Sequence, residues 1–274
     1  MNGRTRPNVL GGLGGWLWLA ITIVPIYYIV VTSLRPQSDY YSENPLSLPS
    51  APSLDAYRQV LENDFLRYFG NSLVVTLVSV ALILAVSLLA SYVVVRSTRP
   101  AAQRLFRMFL LGIAIPIQAT IIPVYYLIVR IGLYDTLLAL ILPSVAFAIP
   151  ITVLILSNFL RDVPRELFEA MRVDGATEWG MLRHLAVPLT KPAIVTVGVY
   201  NALNVWNGFL FPLILTQSAD TRVLPLSLWS FQGEFSVNIP AVLAAVVLSV
   251  LPILAAYIVG RRQLVSGLTA GFSK

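Results

Sequence analysis

The sequence predicts an all-α, polytopic membrane protein with six transmembrane helices and both termini in the cytoplasm. Of its 274 residues, 57% are hydrophobic and 12% are charged, whereas a soluble globular chain has about 25% charged residues. Six stretches contain no Asp, Glu, Lys, Arg or His, and the shortest of them, Met108–Val129, has 22 residues. A helix needs about 20 apolar residues to cross a bilayer, and the stretches lack the apolar–polar alternation of a membrane strand.

The first predicted span follows Arg4 and Arg6, an arrangement that also occurs in secretory signals. Its uncharged run, Pro7–Leu34, has 28 residues, whereas the hydrophobic region of a signal peptide has about 7–15 residues. We therefore expect a retained membrane helix. The six spans are predicted at about residues 13–34, 71–95, 106–130, 136–160, 190–216 and 238–260, within a single transmembrane domain over residues 1–274.

Two longer connections are predicted on the outer side. Residues 35–67 contain four prolines between Pro36 and Pro52, which favour an extended, exposed segment. Apolar residues then recur at helical spacing, which predicts a short helix near Leu54–Leu66. The second connection, residues 217–239, is rich in polar and aromatic side chains, including Gln232.

The basic residues divide unequally between the two sides. The N-terminus, the loops 96–107 and 161–191 and the tail 261–274 carry 14 Lys and Arg, against 5 on the other side, while the acidic residues divide 5 against 8. Basic residues beside spans stay in the cytoplasm, so both termini and the loop at 161–191 are predicted to lie there. The net charge of +6 then faces anionic lipid rather than nucleic acid.

Ion-coupled transporters need titratable or ion-binding groups at membrane depth, and the six uncharged stretches contain no such group apart from tyrosines. If the protein moves a solute uphill, the energy is expected to enter from outside the spans. In the third span, Gln118 and Thr120 lie between Pro116 and Pro123. They would suit a broken, cavity-lining helix, or would equally suit packing at a kink.

The fifth predicted span contains a group of polar and aromatic residues, namely Tyr200, Asn201, Asn204, Trp206 and Asn207. At 100° per residue, Tyr200, Asn204 and Asn207 share one stripe, with Asn201 beside it. Amides and aromatic faces suit hydrogen bonding to and stacking on a sugar, which makes these residues a possible substrate pathway. Asn side chains also join neighbouring membrane helices, and we favour that structural interpretation.

The loop at Val163–Ile194 has the sequence VPRELFEAMRVDGATEWGMLRHLAVPLTKPAI. Pro164 suits the first turn of a helix, and Glu166 and Glu169 suit the positive end of its dipole. Gly175 suits the left-handed residue that ends a helix, and Thr177 can cap the next one. Two short helices joined by a tight turn are therefore predicted.

Each of these two helices has an apolar strip. The strips consist of Leu167, Ala170 and Met171 in the first helix, and of Trp179, Leu182 and Leu185 in the second, which Pro188 is expected to stop. Such an element can lie on the membrane surface, bind DNA as a helix-turn-helix, or insert into a groove of a partner protein. Tethering at both ends argues against DNA, and the other two alternatives stay open on these grounds.

The run from Glu169 to Ala176, followed after eight residues by Leu185-Ala186-Val187-Pro188, resembles the EAA signature of ABC-importer permeases. That signature reads E-A-A-x-x-D-G-A, eight residues, I-x-L-P. This chain differs from it at Met171, Leu185 and Val187, all of which are apolar replacements. The signature also lies in the cytoplasmic loop before the last two predicted spans, as it does in the family.

Other segments narrow the resemblance to the smaller permease of maltose-type carbohydrate importers. They are Asn71-Ser72-Leu73, Trp206-Asn207-Gly208-Phe209 with Pro212-Leu213, and the tail Gly267–Gly271. The resemblance implies a permease subunit of a binding-protein-dependent importer in the plasma (inner) membrane of a bacterium or archaeon. The implied cargo is a sugar, an oligosaccharide or a glycerol phosphate.

The resemblance also implies partners: a second, homologous permease in a heterodimer, two ATPase subunits and an external solute-binding protein. The cytoplasmic coupling loop would be residues 161–189, with a coupling helix from Pro164 to Asp174 docked on an ATPase. The implied docking residues are Pro164, Glu166, Leu167, Glu169, Ala170, Met171, Asp174, Gly175, Ala176 and Pro188. Loops 35–67 and 217–239 would contact the binding protein, and the tail with Gly271 and Lys274 would reach the ATPase interface.

The chain has no G-x-x-x-x-G-K-[ST] phosphate loop, so it is not expected to be an enzyme or to bind a cofactor or metal. ATP and Mg²⁺ would be bound by the partner ATPase. Two alternatives come from other classes. The uncharged spans are compatible with an ATP-independent channel or facilitator, and the loop is compatible with a non-transporting membrane scaffold.

Overall fold

A computed structural model describes residues 9–231 and 237–270, and the regular elements in these ranges are helices. They are α1 (Val9–Ser33), α2 (Asp55–Glu62), α3 (Phe65–Arg96), α4 (Pro100–Ile113), α5 (Ile121–Arg130), α6 (Leu137–Arg161), α7 (Arg165–Val173), α8 (Glu178–Met181), α9 (Val187–Leu189), α10 (Lys191–Trp206), α11 (Leu210–Leu215), α12 (Leu224–Ser227) and α13 (Ile239–Ala270). Three 3₁₀ turns (Ile117–Thr120, Ala219–Thr221, Leu228–Phe231) and a π-helical turn (Leu182–Ala186) complete the order. The all-α prediction is confirmed for the described residues.

Three helices are long and apolar enough to cross a membrane: Gly11–Ser33 of α1, and all of α3 and α6. The pair α4 and α5 passes the same test together but is bent by 96°. Within α13, the apolar segment Ile239–Ala255 is shorter. By length and composition, the described residues therefore contain three candidate spans, or four if the bent pair crosses.

The third predicted span, at 106–130, is not a straight helix. α4 ends at Ile113, Pro116 precedes a 3₁₀ turn with an extended ψ of 127°, and α5 begins at Ile121. Proline has no N–H to donate, and its ring disfavours a helical conformation of the preceding residue. The Thr120 hydroxyl donates to the Ile117 carbonyl at 2.6 Å. This hydrogen bond lies within the 3₁₀ turn.

The fifth predicted span, at 190–216, is interrupted as well. α10 ends at Trp206 and α11 starts at Leu210. In an unbroken helix, the ring of Pro212 would clash with the carbonyl of Gly208. A side chain at Gly208 would also bring its Cβ to 3.0 Å from the Val205 carbonyl oxygen, so a larger residue would crowd the end of α10.

One compact unit consists of Met1–Leu66 and Ser227–Pro252. It contains α2, close to the helix predicted near Leu54–Leu66, and α2 buries Ala56 and Val60. The segment after α1 is less exposed than predicted, because the Arg35 side chain is buried. Its Nε lies 3.0 Å from Glu43 Oε2, and its Nη2 donates to the carbonyls of Asn44 and Ser47.

The other unit consists of Arg67–Leu226 and Ile253–Lys274. One face of α3 is lined by small polar residues, which are Ser72, Thr76, Ser79, Ser87 and Ser91, and all of them are buried. Small residues allow membrane helices to approach closely. The Ser91 hydroxyl donates to the Val153 carbonyl of α6 at 3.1 Å, which joins α3 to α6 within this unit.

Some predictions concern residues outside the described ones. Arg4, Arg6, Gln232, Gly271 and Lys274 lie there, and for the tail Gly267–Ala270 the structure describes the helix but not the side chains.

Candidate functional site

The predicted coupling helix corresponds to α7, which begins one residue later than expected. Pro164 occupies the N-cap position with φ −55° and ψ 134°, and the helix runs from Arg165 to Val173. Glu166 lies in the first turn, where a carboxylate interacts favourably with the helix dipole. The proline therefore fixes the sharp exit of the chain from α6 into α7.

The end of α7 is a Schellman motif built around Gly175. Asp174 is the C-cap residue, and Gly175 has the left-handed φ of 80° that was predicted for it. The Gly175 N–H donates to the Arg172 carbonyl at 3.1 Å, and the Ala176 N–H donates to the Met171 carbonyl at 2.9 Å. These two bonds satisfy carbonyls that would otherwise be unpaired.

The face of α7 that packs inward includes only Met171 of the predicted apolar strip. Phe168 is buried with 1% exposure, in a cluster with Tyr92, Leu160, Met181 and Leu182, and Met171 packs beside it. Leu167 is 42% exposed, and Ala170 is exposed too. The sequence reasoning missed Phe168, although Phe168 and Met171 at i and i+3 form the bulkier apolar pair of the helix.

The outward surface of α7 and of the following turn is partly apolar. Glu166, Glu169 and Ala170 are exposed, and the exposed apolar side chains are Leu167, Val173 at 88% and Trp179 at 63%. We call Leu167, Glu169, Ala170 and Val173 the outward face of α7. A helix that is anchored on one side and exposes apolar residues on the other is suited to a partner groove.

The second helix of the loop starts as predicted and ends at Leu189, one residue after the predicted stop at Pro188. The Thr177 hydroxyl accepts from the Gly180 N–H at 3.1 Å, which caps α8. The chain then continues through the π-helical turn Leu182–Ala186 into α9, which contains the exposed Pro188. The wider i→i+5 turn lets the helix continue although proline has no N–H to donate.

A polar contact joins the two short helices to α3. The Glu178 carboxylate lies 2.5 Å from Arg172 Nη2 and accepts from the Tyr92 hydroxyl at 2.7 Å. The hydrogen bond from Tyr92 lowers the pKa of Glu178, and Arg172 contributes in the same direction. Glu178 therefore stays ionised at neutral pH and fixes the turn at Gly175 against the end of α3.

A second feature of the same unit is a cavity of about 280 Å³, which we call the α10 cavity. Its lining includes Phe147, Ala148 and Ile151 of α6, Tyr200, Asn201, Asn204 and Trp206 of α10, and Phe209 and Phe211 after the break. None of its lining residues is charged. Of the third predicted span, Ile117 lines the cavity, whereas Gln118 and Thr120 do not.

The structure divides the predicted substrate-pathway residues. Asn201 is buried and donates from Nδ2 to Thr152 Oγ1 at 3.0 Å and to the Val197 carbonyl at 2.8 Å, so it joins α10 to α6. Tyr200 and Asn204 are exposed at the cavity, and Trp206 packs edge-on against Phe69 at 5.7 Å. Asn207 does not line the cavity.

The sequence reasoning also missed a set of hydrogen bonds that Asp135 makes to the connection after α11. Asp135, at φ 59°, accepts from the N–H groups of Gln217 and Ser218 and from the Thr221 hydroxyl. Partial burial acts to raise the pKa of Asp135, but these hydrogen bonds outweigh it and lower the pKa to about 2. A further anchor is Asn71, which donates to the carbonyls of Asp220 and Arg222.

Long apolar helices, a short helix with an exposed apolar surface and an uncharged cavity are features that a membrane transport subunit would have. Residues 83–264 match the family described as binding-protein-dependent transport system inner membrane component. The chain belongs to this family of transport permeases, and it is therefore a multi-pass membrane protein of an ABC importer. Permease subunits of this kind are not enzymes themselves.

Individual relatives extend the similarity over nearly the whole chain. ORF2 of Caldicellulosiruptor sp. (strain Rt8B.4), described as a candidate ABC transporter permease, is 40% identical and covers 94% of both chains. The diacetylchitobiose uptake system permease DasC of Streptomyces coelicolor is 31% identical, over 99% of this chain and 98% of DasC. A chain of a bacterial ABC transporter that imports the acidic polysaccharide alginate shares the fold, with a TM-score of 0.82 at 20% identity, over 96% of this chain and 99% of that one.

Proposed function

We propose that this chain is the smaller permease of a heterodimeric importer that moves a neutral sugar or oligosaccharide into the cell. The permease class follows from the family, and the choice of cargo is supported by the α10 cavity. Its aromatic side chains can stack on sugar rings, and its amides can hydrogen-bond to hydroxyl groups. Because no cationic residue lines the cavity, the proposal favours a neutral saccharide over a glycerol phosphate or an acidic polysaccharide.

The proposed topology has six spans in one transmembrane domain, with both termini and the coupling loop 161–189 in the cytoplasm. The chain would lie in the inner membrane of a bacterium or archaeon, beside a second permease. Two ATPase subunits would bind ATP and Mg²⁺, and an external binding protein would deliver the sugar to the outer loops. The charge distribution between the predicted sides supports this orientation.

The observation that carries the proposed coupling role is that α7 buries one side and exposes another. Phe168 packs α7 against Tyr92 of α3 and Leu160 of α6, while Glu169 and Ala170 are exposed. In the proposal, Glu169 pairs with a basic group of the ATPase and Ala170 allows close approach. ATP-driven closure of the ATPases then pulls α7, and the packed Phe168 transmits this movement to α3 and α6.

The test of this proposal is the recovery of partners with the affinity-tagged chain, extracted in mild detergent from its native membrane and analysed by mass spectrometry. We expect the wild type to retain a second permease and an ATPase. Glu169→Lys is expected to reduce the recovered ATPase at least about tenfold, because like charges at an interface cost several kcal/mol. The second permease should remain.

The matched control is Glu62→Lys, which reverses an exposed glutamate of α2, outside the coupling loop. It should leave recovery of the ATPase unchanged. Equal ATPase recovery with Glu169→Lys would contradict the docking role of α7. A wild-type chain that purifies alone would instead favour the channel or scaffold alternative.

A further inference from the structure

A second cavity, of about 360 Å³, lies in the same compact unit where α3, α4, α6 and α7 meet. We call it the arginine pocket. Its lining residues are Val94, Val95, Arg96, Gln103, Leu160, Arg161, Val163, Arg165 and Phe168. Three of them are arginines from the end of α3, the end of α6 and the start of α7, and none is acidic. The proposed transport function does not use this cavity.

Two of the three arginines are held in place by aromatic rings. The Arg96 guanidinium carbon lies 4.1 Å from the centroid of Phe168, and that of Arg161 lies 5.1 Å from the centroid of Phe106. Arg96 Nε is buried and has no hydrogen-bond partner among the described residues. A guanidinium stacked on a ring keeps its N–H groups in the plane available for an acceptor.

No carboxylate is among the lining residues of the arginine pocket. Glu178 interacts with Arg96 but also pairs with Arg172 and accepts from Tyr92. A second nearby carboxylate is Asp162, which follows Arg161 in the chain. Neither carboxylate lines the pocket. The lining therefore carries net positive charge and the N–H donors of three guanidinium groups.

We propose that the arginine pocket binds a phosphate group, either the headgroup of an anionic phospholipid or a free phosphate. A phosphate offers several acceptor oxygens to converging guanidinium groups, and arginine binds it through paired N–H donors. Basic pockets between membrane helices on the cytoplasmic side recognise anionic headgroups. The volume also far exceeds that of one water, which is about 30 Å³.

A ligand in this pocket would bridge the two sides of the connection between α6 and α7. Arg161 lies before Pro164 and Arg165 after it, and Phe168 shares its ring between the pocket and the core cluster of α7. Occupancy would therefore hold α7 in its present position. The outward face of α7, which is proposed for docking, remains uncovered.

The test uses the purified full-length chain in a neutral detergent, with its melting temperature followed during titration at constant ionic strength. One arm adds sodium phosphate in exchange for sodium chloride. The other adds short-chain phosphatidylglycerol, compared with short-chain phosphatidylcholine. We expect at least one phosphate source to raise the melting temperature of the wild type. Arg165→Gln should weaken its apparent affinity about tenfold, as expected for the loss of a charge-assisted hydrogen bond.

The matched control is Arg104→Gln, which removes an exposed arginine of α4 that does not line the pocket, and it should titrate like the wild type. Stabilisation by phosphatidylglycerol alone identifies a lipid headgroup as the ligand, and stabilisation by sodium phosphate identifies a soluble one. No stabilisation from either source, or equal weakening in Arg165→Gln and Arg104→Gln, would overturn the proposal. Because the assay needs no ATPase, sugar or binding protein, its failure would not affect the proposed function.

Discussion

Asn204 and Asn207 make the same contact with their own helix, since each donates from Nδ2 at 2.8 Å to the carbonyl four residues back. Both are exposed, but Asn204 lines the α10 cavity and Asn207 does not. The helical stripe in the sequence contains both residues, so it could not predict that only one of them lines the cavity. The end of α10 at Trp206 separates them, because Asn207 is already the C-cap residue.

This difference gives a prediction for the residue scale. Asn204→Ala should weaken the apparent affinity for the transported sugar about two- to twelvefold, which corresponds to one hydrogen bond of about 0.5–1.5 kcal/mol. The measurement is uptake of labelled sugar against concentration, in cells with the complete importer.

Asn207→Ala is the control, since it removes the same contact with the helix but no group of the cavity. An unchanged affinity in Asn204→Ala, or an equal loss in both variants, would exclude Asn204 as a ligand of the sugar. Asn201 is unsuitable for this comparison, because its bond to Thr152 joins α10 to α6. For Asn201, that bond is the kind of contact between helices that the structural interpretation predicts.

For the helices of the coupling loop, local chemistry was enough to predict the turn. The left-handed glycine at Gly175 and the cap by Thr177 depend on neighbouring residues alone, and both are observed. The packing face depends on tertiary contacts, which periodicity does not specify. Leu167, Ala170 and Met171 form a regular strip, yet of these only Met171 packs against the cluster around Tyr92 and Leu160, and Phe168 is the buried residue.

The neighbours Leu167 and Phe168 therefore provide a matched pair of variants for α7. Phe168→Ala should lower the free energy of unfolding by about 3–5 kcal/mol, since it leaves a cavity in the core cluster. Leu167→Ala should change it by less than about 0.5 kcal/mol, because its side chain is half exposed. Thermal unfolding of the purified chain in detergent measures both.

In the proposed complex, Leu167→Ala tests binding of the ATPase separately from the stability of the chain. Leu167→Ala should reduce ATPase recovery although the chain remains stable, because it removes an apolar contact of the outward face. If Leu167→Ala destabilised the chain as strongly as Phe168→Ala, the assignment of Phe168 to the buried face of α7 and Leu167 to the exposed face would be contradicted.

At the scale of the whole chain, composition was sufficient for an all-helical membrane protein, but it did not predict where helices break. The breaks before Ile117 and after Trp206 both involve prolines, Pro116 and Pro212, that lie within uncharged stretches of the sequence. Hydropathy averages over such residues, so both stretches were predicted as single spans. Only for the third span did the sequence analysis consider a broken helix or a kink, between Pro116 and Pro123. The 96° bend between α4 and α5 also leaves two possibilities, a crossing pair or a re-entrant loop.

The side of the membrane on which each loop lies distinguishes these possibilities, and the chain is well suited to the test because it contains no cysteine. Single cysteines can replace exposed residues in four connections, as Leu48→Cys, Thr98→Cys, Ile131→Cys and Ala219→Cys. In intact cells, a membrane-impermeant maleimide should label positions 48, 131 and 219. It should reach position 98 only after permeabilisation, because the six-span topology places that residue in the cytoplasm.

Position 131 is decisive for the bent pair, because a re-entrant α4–α5 loop would return Ile131 to the side of Thr98. Labelling of position 131 only after permeabilisation would therefore refute the crossing. It would also reverse the predicted side of α7, since α6 would then carry the coupling loop outward. Labelling at 131 and 219 in intact cells, together with protection at 98, would place an even number of crossings between Ile131 and Ala219. That result requires α10 and α11, despite their break, to return the chain across the membrane after α6.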